Sequence, residues 1–167
     1  LEDLGIKPFG HAYKPTSNSK KLQEKYLEKT KEELEEKKIK VKVAGRIMTK
    51  RRSGKAGFMH IQDKFGQVQI YIREDEIGEA QYYLYRRCDI GDIIGIEGFV
   101  IKTNTGELTV RATKYVHLTK ALRPLPEKYH GLQDVEEARR HRYVDLIMNE
   151  ESRYCLLYTY PSPRDSW

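Results

Sequence analysis

Three short runs of alternating residues, joined by two turns, most constrain what this chain can become. Along Val41–Ile47, residues Val41, Val43, Gly45 and Ile47 share one side of an extended strand, while Lys42, Ala44 and Arg46 share the other. Along the next run, Met59 and Ile61 alternate with Phe58, His60 and Gln62. In the third, Val68, Ile70 and Ile72 alternate with Gln67, Gln69 and Tyr71. Strand side chains point alternately to opposite faces, so the aliphatic sets need a common core and the others form one continuous outer surface. That surface carries cations, a phenyl ring, a phenol and carboxamides, with Lys50, Arg51, Arg52 and Lys55 at its edge. Such a face suits a single-stranded nucleic acid, which offers phosphates to cations and base faces to rings.

Composition supports an anionic partner and excludes little else. The 167 residues suffice for one domain, or one with appendages, and 38% hydrophobic content is lean but adequate for a small barrel. A net charge of +6 favours an anion. No apolar run approaches the roughly 20 residues that span a bilayer, and Leu1-Glu2-Asp3-Leu4 does not read as a signal peptide. Cys88 and Cys155 match no metal or disulfide spacing, which suits a reducing cytosol. The five histidines are scattered, so no metal ligand set is expected.

The rest of the chain supplies a topology. Residues 1–18 read as an irregular lead-in. Ser19 to about Leu27 reads as a helix with Ser19 as N-cap, and Thr30 with Glu33 has the capping-box spacing of a second helix, Lys31–Lys38. The dense charge of Glu24–Lys40 reads as a solvated helix face. Ile77, Ala80, Leu84 and Cys88 recur at helical spacing across Asp75–Cys88. Ile94, Ile96, Gly98 and Val100 mark a fourth strand, Thr103–Gly106 a hairpin turn, and Leu108, Val110 and Ala112 a fifth strand that Tyr115–Leu118 continues or closes. Three strands, one helix and two strands is the element order of the mainly β, five-stranded OB-fold barrel. Leu122–Pro126 then reads as an extended linker, and Val135 to about Asn149 as a helix opened by Asp134.

Several segments resemble class II lysyl-tRNA synthetase (lysine–tRNA ligase) of the bacterial type. They are Val43–Arg51, Gly54–Phe58, Lys102–Leu108, Leu118–Leu132 and Arg142–Ile147. The resemblance runs to about Arg153, and its leucine–proline linker is its most specific part. It implies an N-terminal anticodon-binding region that recognises a uridine-rich anticodon, with tRNA(Lys) as partner and cytoplasmic location. Carried over residue by residue, Phe58 matches the ring that stacks on an anticodon base. Arg52, Gln69 and Glu107 match side chains that read or position those bases. Arg46, Lys50, Arg51, Lys55, His60 and Tyr71 are possible further RNA contacts. Phe58 would turn inward if the strand register slipped by one residue.

The resemblance also implies that ATP and Mg serve the full-length enzyme, a homodimer, while this chain holds no catalytic residue and is inactive alone. The expected organisation is 1–39 lead-in and helices, 40–120 OB-fold domain, 121–153 linker and start of the catalytic connection, and 154–167 a tail. That tail departs from the family, has no helical period, and is expected to be poorly ordered and non-native, from a truncated or frameshifted reading or a fusion. A free-standing OB-fold module binding single-stranded RNA or DNA is the alternative.

Overall fold

The alternating runs become five strands: β1 (Lys40–Ser53), β2 (Ala56–Gln62), β3 (Gln67–Arg73), β4 (Ile93–Lys102) and β5 (Leu108–Thr119). The computed structural model describes residues 9–10, 12–123, 125 and 135–159. The chain divides into two compact units, Leu1–Pro124 and Leu125–Trp167. In the first, the strands close into a barrel in the order β1-β2-β3-β5-β4. All pairings are antiparallel except β3 with β5. Closure leaves no strand of the ring with an unpaired edge. At 14 residues, β1 is long enough to pair with β4 through its first half and with β2 through its second.

The aliphatic side of each strand lines the interior. Val43, Ile47, Met59, Ile61, Ile70, Ile72, Ile94, Ile96, Val100 and Val110 are all buried. Each such side chain contributes about 1.5–3 kcal/mol when fully removed from water. The alternation is interrupted once in β1. Ile47 pairs with Ile61 but Thr49 pairs with His60, so Met48 is an extra residue in the ladder. Ile47 and Met48 are both buried. A bulge of this kind reverses the sidedness of everything beyond it, so Thr49 and Arg51 join the outer face while Lys50 and Arg52 take the opposite side.

Two helices lead into the barrel. Asn18, not the expected Ser19, caps α1 (Ser19–Tyr26), its side chain accepting from Lys21 N at 2.9 Å. Ser19 instead donates its backbone N–H (2.7 Å) and hydroxyl (2.6 Å) to the Asp63 carboxylate, fastening α1 to the β2–β3 turn. Thr30 caps α2 (Lys31–Lys37) as its spacing predicts, accepting from Glu33 N at 3.4 Å. Leu22 and Leu34 carry the apolar faces of these helices into the core.

Between β3 and β4 the expected single helix is two, α3 (Glu74–Ile77) and α4 (Glu79–Arg87). Gly78 breaks it at φ 85°, a backbone state that glycine adopts freely and other residues rarely do. Tyr82 and Tyr85 of α4 are buried, and Gly57 on β2 makes room: a Cβ there would lie 2.0 Å from the Tyr85 phenol oxygen. After α4, Asp92 is fully buried. Its carboxylate accepts from Asp89 N (3.0 Å), Ala121 N (2.8 Å) and Lys120 Nζ (3.0 Å), tying the end of β5 to the turn before β4.

The second unit holds α5 (Val135–Arg140), α6 (Arg142–Met148) and α7 (Glu150–Thr159). The single helix expected over 135–149 is interrupted at His141, at φ −112° and ψ 50°, and ends at an extended Asn149. Arg153 joins α7 to α6 by donating to the carbonyls of Leu146 (2.9 Å) and Ile147 (3.0 Å). Tyr154–Thr159 is helical, which corrects the expectation of a tail without helix from Tyr154 onward. The breaking prolines stand only at 161 and 163, after six residues that tolerate a helix. The rest of that expected tail (160–167), the Asp134 cap and both prolines of the Leu122–Pro126 linker lie outside the described residues.

Candidate nucleic-acid interface

Strand register sets the outer side chains in rows. Arg51, Phe58, Tyr71 and Arg111 stand abreast across β1, β2, β3 and β5. The next row is Thr49, His60, Gln69 and Thr109, and beyond it Arg46, Gln62 and Gln67. Directly opposed residues on neighbouring strands point the same way, so each row is one line of adjacent side chains.

The first row carries the rings. Phe58 is 38% exposed, and its ring meets that of Tyr71 at 4.7 Å between centroids, tilted by 34°. Register at Phe58 is therefore outward, as its alternation predicts. Arg111 on the far side of Tyr71 is held by α3, its Nε donating to both carboxylate oxygens of Glu76 at 2.8 and 2.9 Å.

The second row carries a connected polar network. Glu107 reaches in from the β4–β5 turn. One of its oxygens receives Gln69 Nε2 at 2.9 Å and the other contacts His60 Nε2 at 3.2 Å. Thr109, buried, donates its hydroxyl to Gln69 Oε1 at 2.7 Å, which fixes the amide so that its NH2 faces the carboxylate. His60 Nδ1 lies 2.8 Å from Thr49 Oγ1. Glu107 itself is clasped, its N–H donating to Thr103 Oγ1 at 3.1 Å. The turn that carries it is braced by the N-terminal helices. Lys31 Nζ donates to Asn104 Oδ1 (2.9 Å) and Lys102 Nζ to the carbonyls of Leu27 and Lys29 (2.7 and 3.0 Å).

The basic rim is sorted by the Met48 bulge. Arg51, Arg52 and Lys55 are exposed, but Arg51, across from Phe58, shares its side of the sheet. Arg52 pairs with Gly57, whose side of the strand is occupied by Tyr85. Burial pushes the Tyr85 phenol up to about 12, so it stays a neutral donor, giving its proton to Arg51 O at 3.1 Å. Lys50 does not reach the outer face at all. Its ammonium donates to the carbonyls of Cys88 (2.7 Å) and Arg86 (3.2 Å), where a cation meets the C-terminal end of α4. That sets Lys50 away from the outer surface at whose edge the sequence places it. Arg46 remains on the outer side, with Nη1 donating to Gly91 O at 2.9 Å.

The structure thus brings Phe58, His60, Gln69, Tyr71 and Glu107 together, sets Arg51 beside them, and leaves Arg52 and Lys55 at the hairpin edge. Thr49, Thr109 and Arg111 are members that the sequence reading missed. For Thr109 and Arg111 the signal was present, since they alternate with the inward Leu108 and Val110. A cleft beside Tyr71, lined also by Lys55, Arg73 and Asp75, continues the surface toward α3. Among the described residues, no group of three or more His, Cys, Asp or Glu is placed to hold a metal ion. No described helix is long and apolar enough to cross a membrane.

The closed five-stranded barrel is an OB-fold, and residues 41–118 match the tRNA_anti-codon family, described as an OB-fold nucleic acid binding domain. Beyond the domain, the chain's likeness is to lysine–tRNA ligases. It is 59% identical over 153 residues to the enzyme of Bacillus cytotoxicus and 58% over 153 residues to that of Bacillus cereus (strain AH187). To that of Bacillus subtilis (strain 168) it is 55% identical over 157 residues. These matches cover 92%, 92% and 94% of this chain, and 31%, 31% and 32% of the relatives. The chain therefore spans about a third of the length of the curated relatives it matches.

Proposed function

We propose that the outer face of β1, β2 and β3 captures the anticodon of tRNA(Lys). The observation that carries this reading is the Phe58–Tyr71 ring pair set beside the Glu107–Gln69–His60 network, on a barrel of the tRNA anticodon type. An unstacked base presents its π-face to Phe58, a contact worth about 1–3 kcal/mol per base without choosing among bases. Its exposed edge meets Gln69 and Glu107, which choose by hydrogen bonding. Arg51 stands where a guanidinium can support the stacked base, and Arg52 and Lys55 meet the RNA backbone from the rim. Phosphate contacts position the strand and base contacts specify it.

The whole protein would be a lysine–tRNA ligase that activates lysine with ATP and attaches it to tRNA(Lys), acting in the cytoplasm as a homodimer. ATP and Mg would supply the activation chemistry in that longer protein. This chain's part is to bind and orient the RNA. In this scheme residues 40–120 are the anticodon domain, 1–39 its helical brace and 121–153 the connection toward the catalytic part, with 154–167 outside the family pattern.

The test is binding of lysine tRNA against a copy with altered anticodon bases, with Phe58→Ala and Gln69→Ala alongside. Preference for the native anticodon, reduced in Gln69→Ala and kept at lower overall affinity in Phe58→Ala, is the expected result; equal affinity of the unaltered chain for both tRNAs overturns the proposal. Lysine-dependent ATP–pyrophosphate exchange by this chain should be absent.

A further inference from the structure

We propose that Phe65, at the tip of the β2–β3 turn, is a second stacking platform for single-stranded RNA, with Lys21 and Lys64 beside it for the phosphate. It holds a nucleotide outside the anticodon, by base face and charge, without choosing the base. The proposal rests on the anticodon-binding reading above only for the identity of the strand.

The outer face does not end with its third row. Arg46, Gln62 and Gln67 form that row. Beyond it a cleft of about 260 Å³ opens between the lead-in, the start of α1, β1 and the β2–β3 turn. Thr16, Asn18, Lys21, Ala44, Lys64 and Phe65 are among the residues that line it. Ala44 lies two residues before Arg46 on the same outer side of β1, so the cleft continues the surface that carries Phe58 and Tyr71.

The turn that carries Phe65 is fixed from below. Asp63 accepts from the N–H groups of Phe65 (2.7 Å) and Gly66 (3.0 Å), and from the N–H (2.7 Å) and hydroxyl (2.6 Å) of Ser19. Its own N–H closes the turn by donating to Gly66 O at 2.9 Å. The opposite wall is held as well. The N–H groups of Thr16 and Ser17 donate to Lys42 O at 3.0 and 3.1 Å, and Lys42 N–H donates to Thr16 Oγ1 at 3.0 Å. Between these walls Phe65 is 54% exposed, more than Phe58 at 38%. A ring on an already ordered turn loses little freedom on binding, so more of the contact energy is realised.

A single exposed ring is ordinary on a protein surface; the charges around this one set it apart. The Lys64 ammonium lies 5.8 Å from the centroid of the Phe65 ring, within cation–π range. Lys21 lines the same cleft from α1. Its neighbour Lys20 faces Glu24 at 3.9 Å, but among the described residues no salt bridge involves Lys21 or Lys64. Asp63 is the only carboxylate among the described lining residues, and its oxygens already face four donors. Two cations without an ion-pair partner and a ring match what a nucleotide offers, a phosphate and a π-face. From Phe58 to Gln62 the strand rises about 13 Å, at about 3.3 Å per residue, so the two rings stand toward opposite ends of the face. An OB fold engages about 4–16 nucleotides, and a platform at each end lets this one hold a strand longer than an anticodon.

The experiment measures dissociation constants for the lysine-tRNA anticodon stem–loop and for copies made abasic at each unpaired position outside the anticodon in turn. The proteins are the unaltered chain, Phe65→Ala, Phe65→Tyr, Phe58→Ala and the pair Lys21→Ala with Lys64→Ala, with thermal unfolding as the folding control. Phe65→Ala should weaken the intact loop about five- to tenfold, the low end for one stacked base, and Phe65→Tyr should restore it. One abasic copy should bind the unaltered chain and Phe65→Ala alike, because the ring then has no base to hold. Preference for the native anticodon should be unchanged in Phe65→Ala. The lysine pair should make the slope of log K against log salt shallower by about 1.4, at about 0.7 for each phosphate contact. A folded Phe65→Ala that binds every loop like the unaltered chain, while Phe58→Ala is weakened, overturns the second platform and leaves the anticodon reading standing. So does a loss that is the same at every abasic copy, or an unchanged loop affinity with weaker self-association in sedimentation, which makes the ring a protein contact. A loss in Phe65→Ala from a chain that binds native and altered anticodons equally keeps the platform and removes the anticodon reading.

Discussion

Arg51 stands directly across the β1–β2 ladder from Phe58, while its neighbour Arg52 stands across from Gly57. One extra residue at Met48 makes that difference, because it shifts the alternation of the whole basic end of β1. The two arginines, adjacent and both exposed, therefore have different neighbours: for Arg51 the ring pair, for Arg52 the side of β2 where Tyr85 packs. Arg51→Ala should weaken anticodon stem–loop binding more than Arg52→Ala, and Phe58→Ala should cost about 1–3 kcal/mol with little loss of thermal stability. Titration of the three variants with one fluorescent loop ranks them. Arg52→Ala as the more damaging arginine change would mean that the bulge does not set which cation serves the ring.

Lys50 and Lys55 separate in the same way, this time by salt dependence. Each phosphate contact to a single strand contributes a slope of about −0.7 in log K against log salt. Lys55→Ala should make the slope shallower by about that amount. Lys50→Ala should leave it unchanged and lower stability instead, since the Lys50 ammonium is spent on the Arg86 and Cys88 carbonyls. Gln69→Ala should weaken binding at every salt concentration in parallel, because base reading releases no counterions.

Packing beneath the face is tight enough to forbid a methyl group. A Cβ at Gly57 would lie 2.0 Å from the Tyr85 phenol oxygen, and one at Gly98 would lie 2.0 Å from the backbone oxygen of Arg111. Overpacking typically costs about 1–3 kcal/mol when neighbours can move. Gly57→Ala should fall in that range and be partly relieved by Tyr85→Phe, which removes the atom first struck. Gly98→Ala has only backbone to push against and should be the worse of the two. Urea unfolding midpoints of the four variants give the ranking.

Alkaline pH should unfold the barrel from beneath the site. Burial pushes the phenols of Tyr13 and Tyr85 up to about 12 from 10.0. For Lys120, burial works downward, but the hydrogen bonds its ammonium donates to Asp89 and Asp92 outweigh it and raise it above 10.5. A group whose folded pKa is raised contributes stability that is whole below its unfolded pKa and lost as pH climbs through the folded one. Stability should therefore hold up to about pH 10 and decline toward 12, with Tyr85→Phe flattening part of the decline. Chemical unfolding at stepped pH measures it, and a curve unaffected by Tyr85→Phe would assign the loss elsewhere.

Much of the fold was legible because burial enforces it. The period-two sets of Val43, Ile61, Ile70 and Ile96 could be satisfied only by a shared interior, and the outward placement of Phe58, Gln69 and Tyr71 followed from the same count. The Thr30 cap was legible because its hydrogen bond is local. The breaks were harder. Gly78 was visible as a glycine but not as the hinge between α3 and α4, since nothing local separates a tolerated helical glycine from a break. Asn18 took the cap from Ser19 because Asp63, forty-four residues away, claims the serine.

By itself the sequence determined the five strands, their inner and outer faces up to Met48, and the side-chain types on the outer face, all of which follow from alternation and composition along the chain. Only the tertiary structure decided which arginine stands across from Phe58. The Met48 bulge lies where β1 leaves its pairing with β4 and goes on with β2, two partners that only the closed barrel brings to it. Closure also decided the polar edge. Glu107 and Gln69 are 38 residues apart, and Thr49 and His60 sit on separate strands. They became one network only when the ring of strands set their rows abreast.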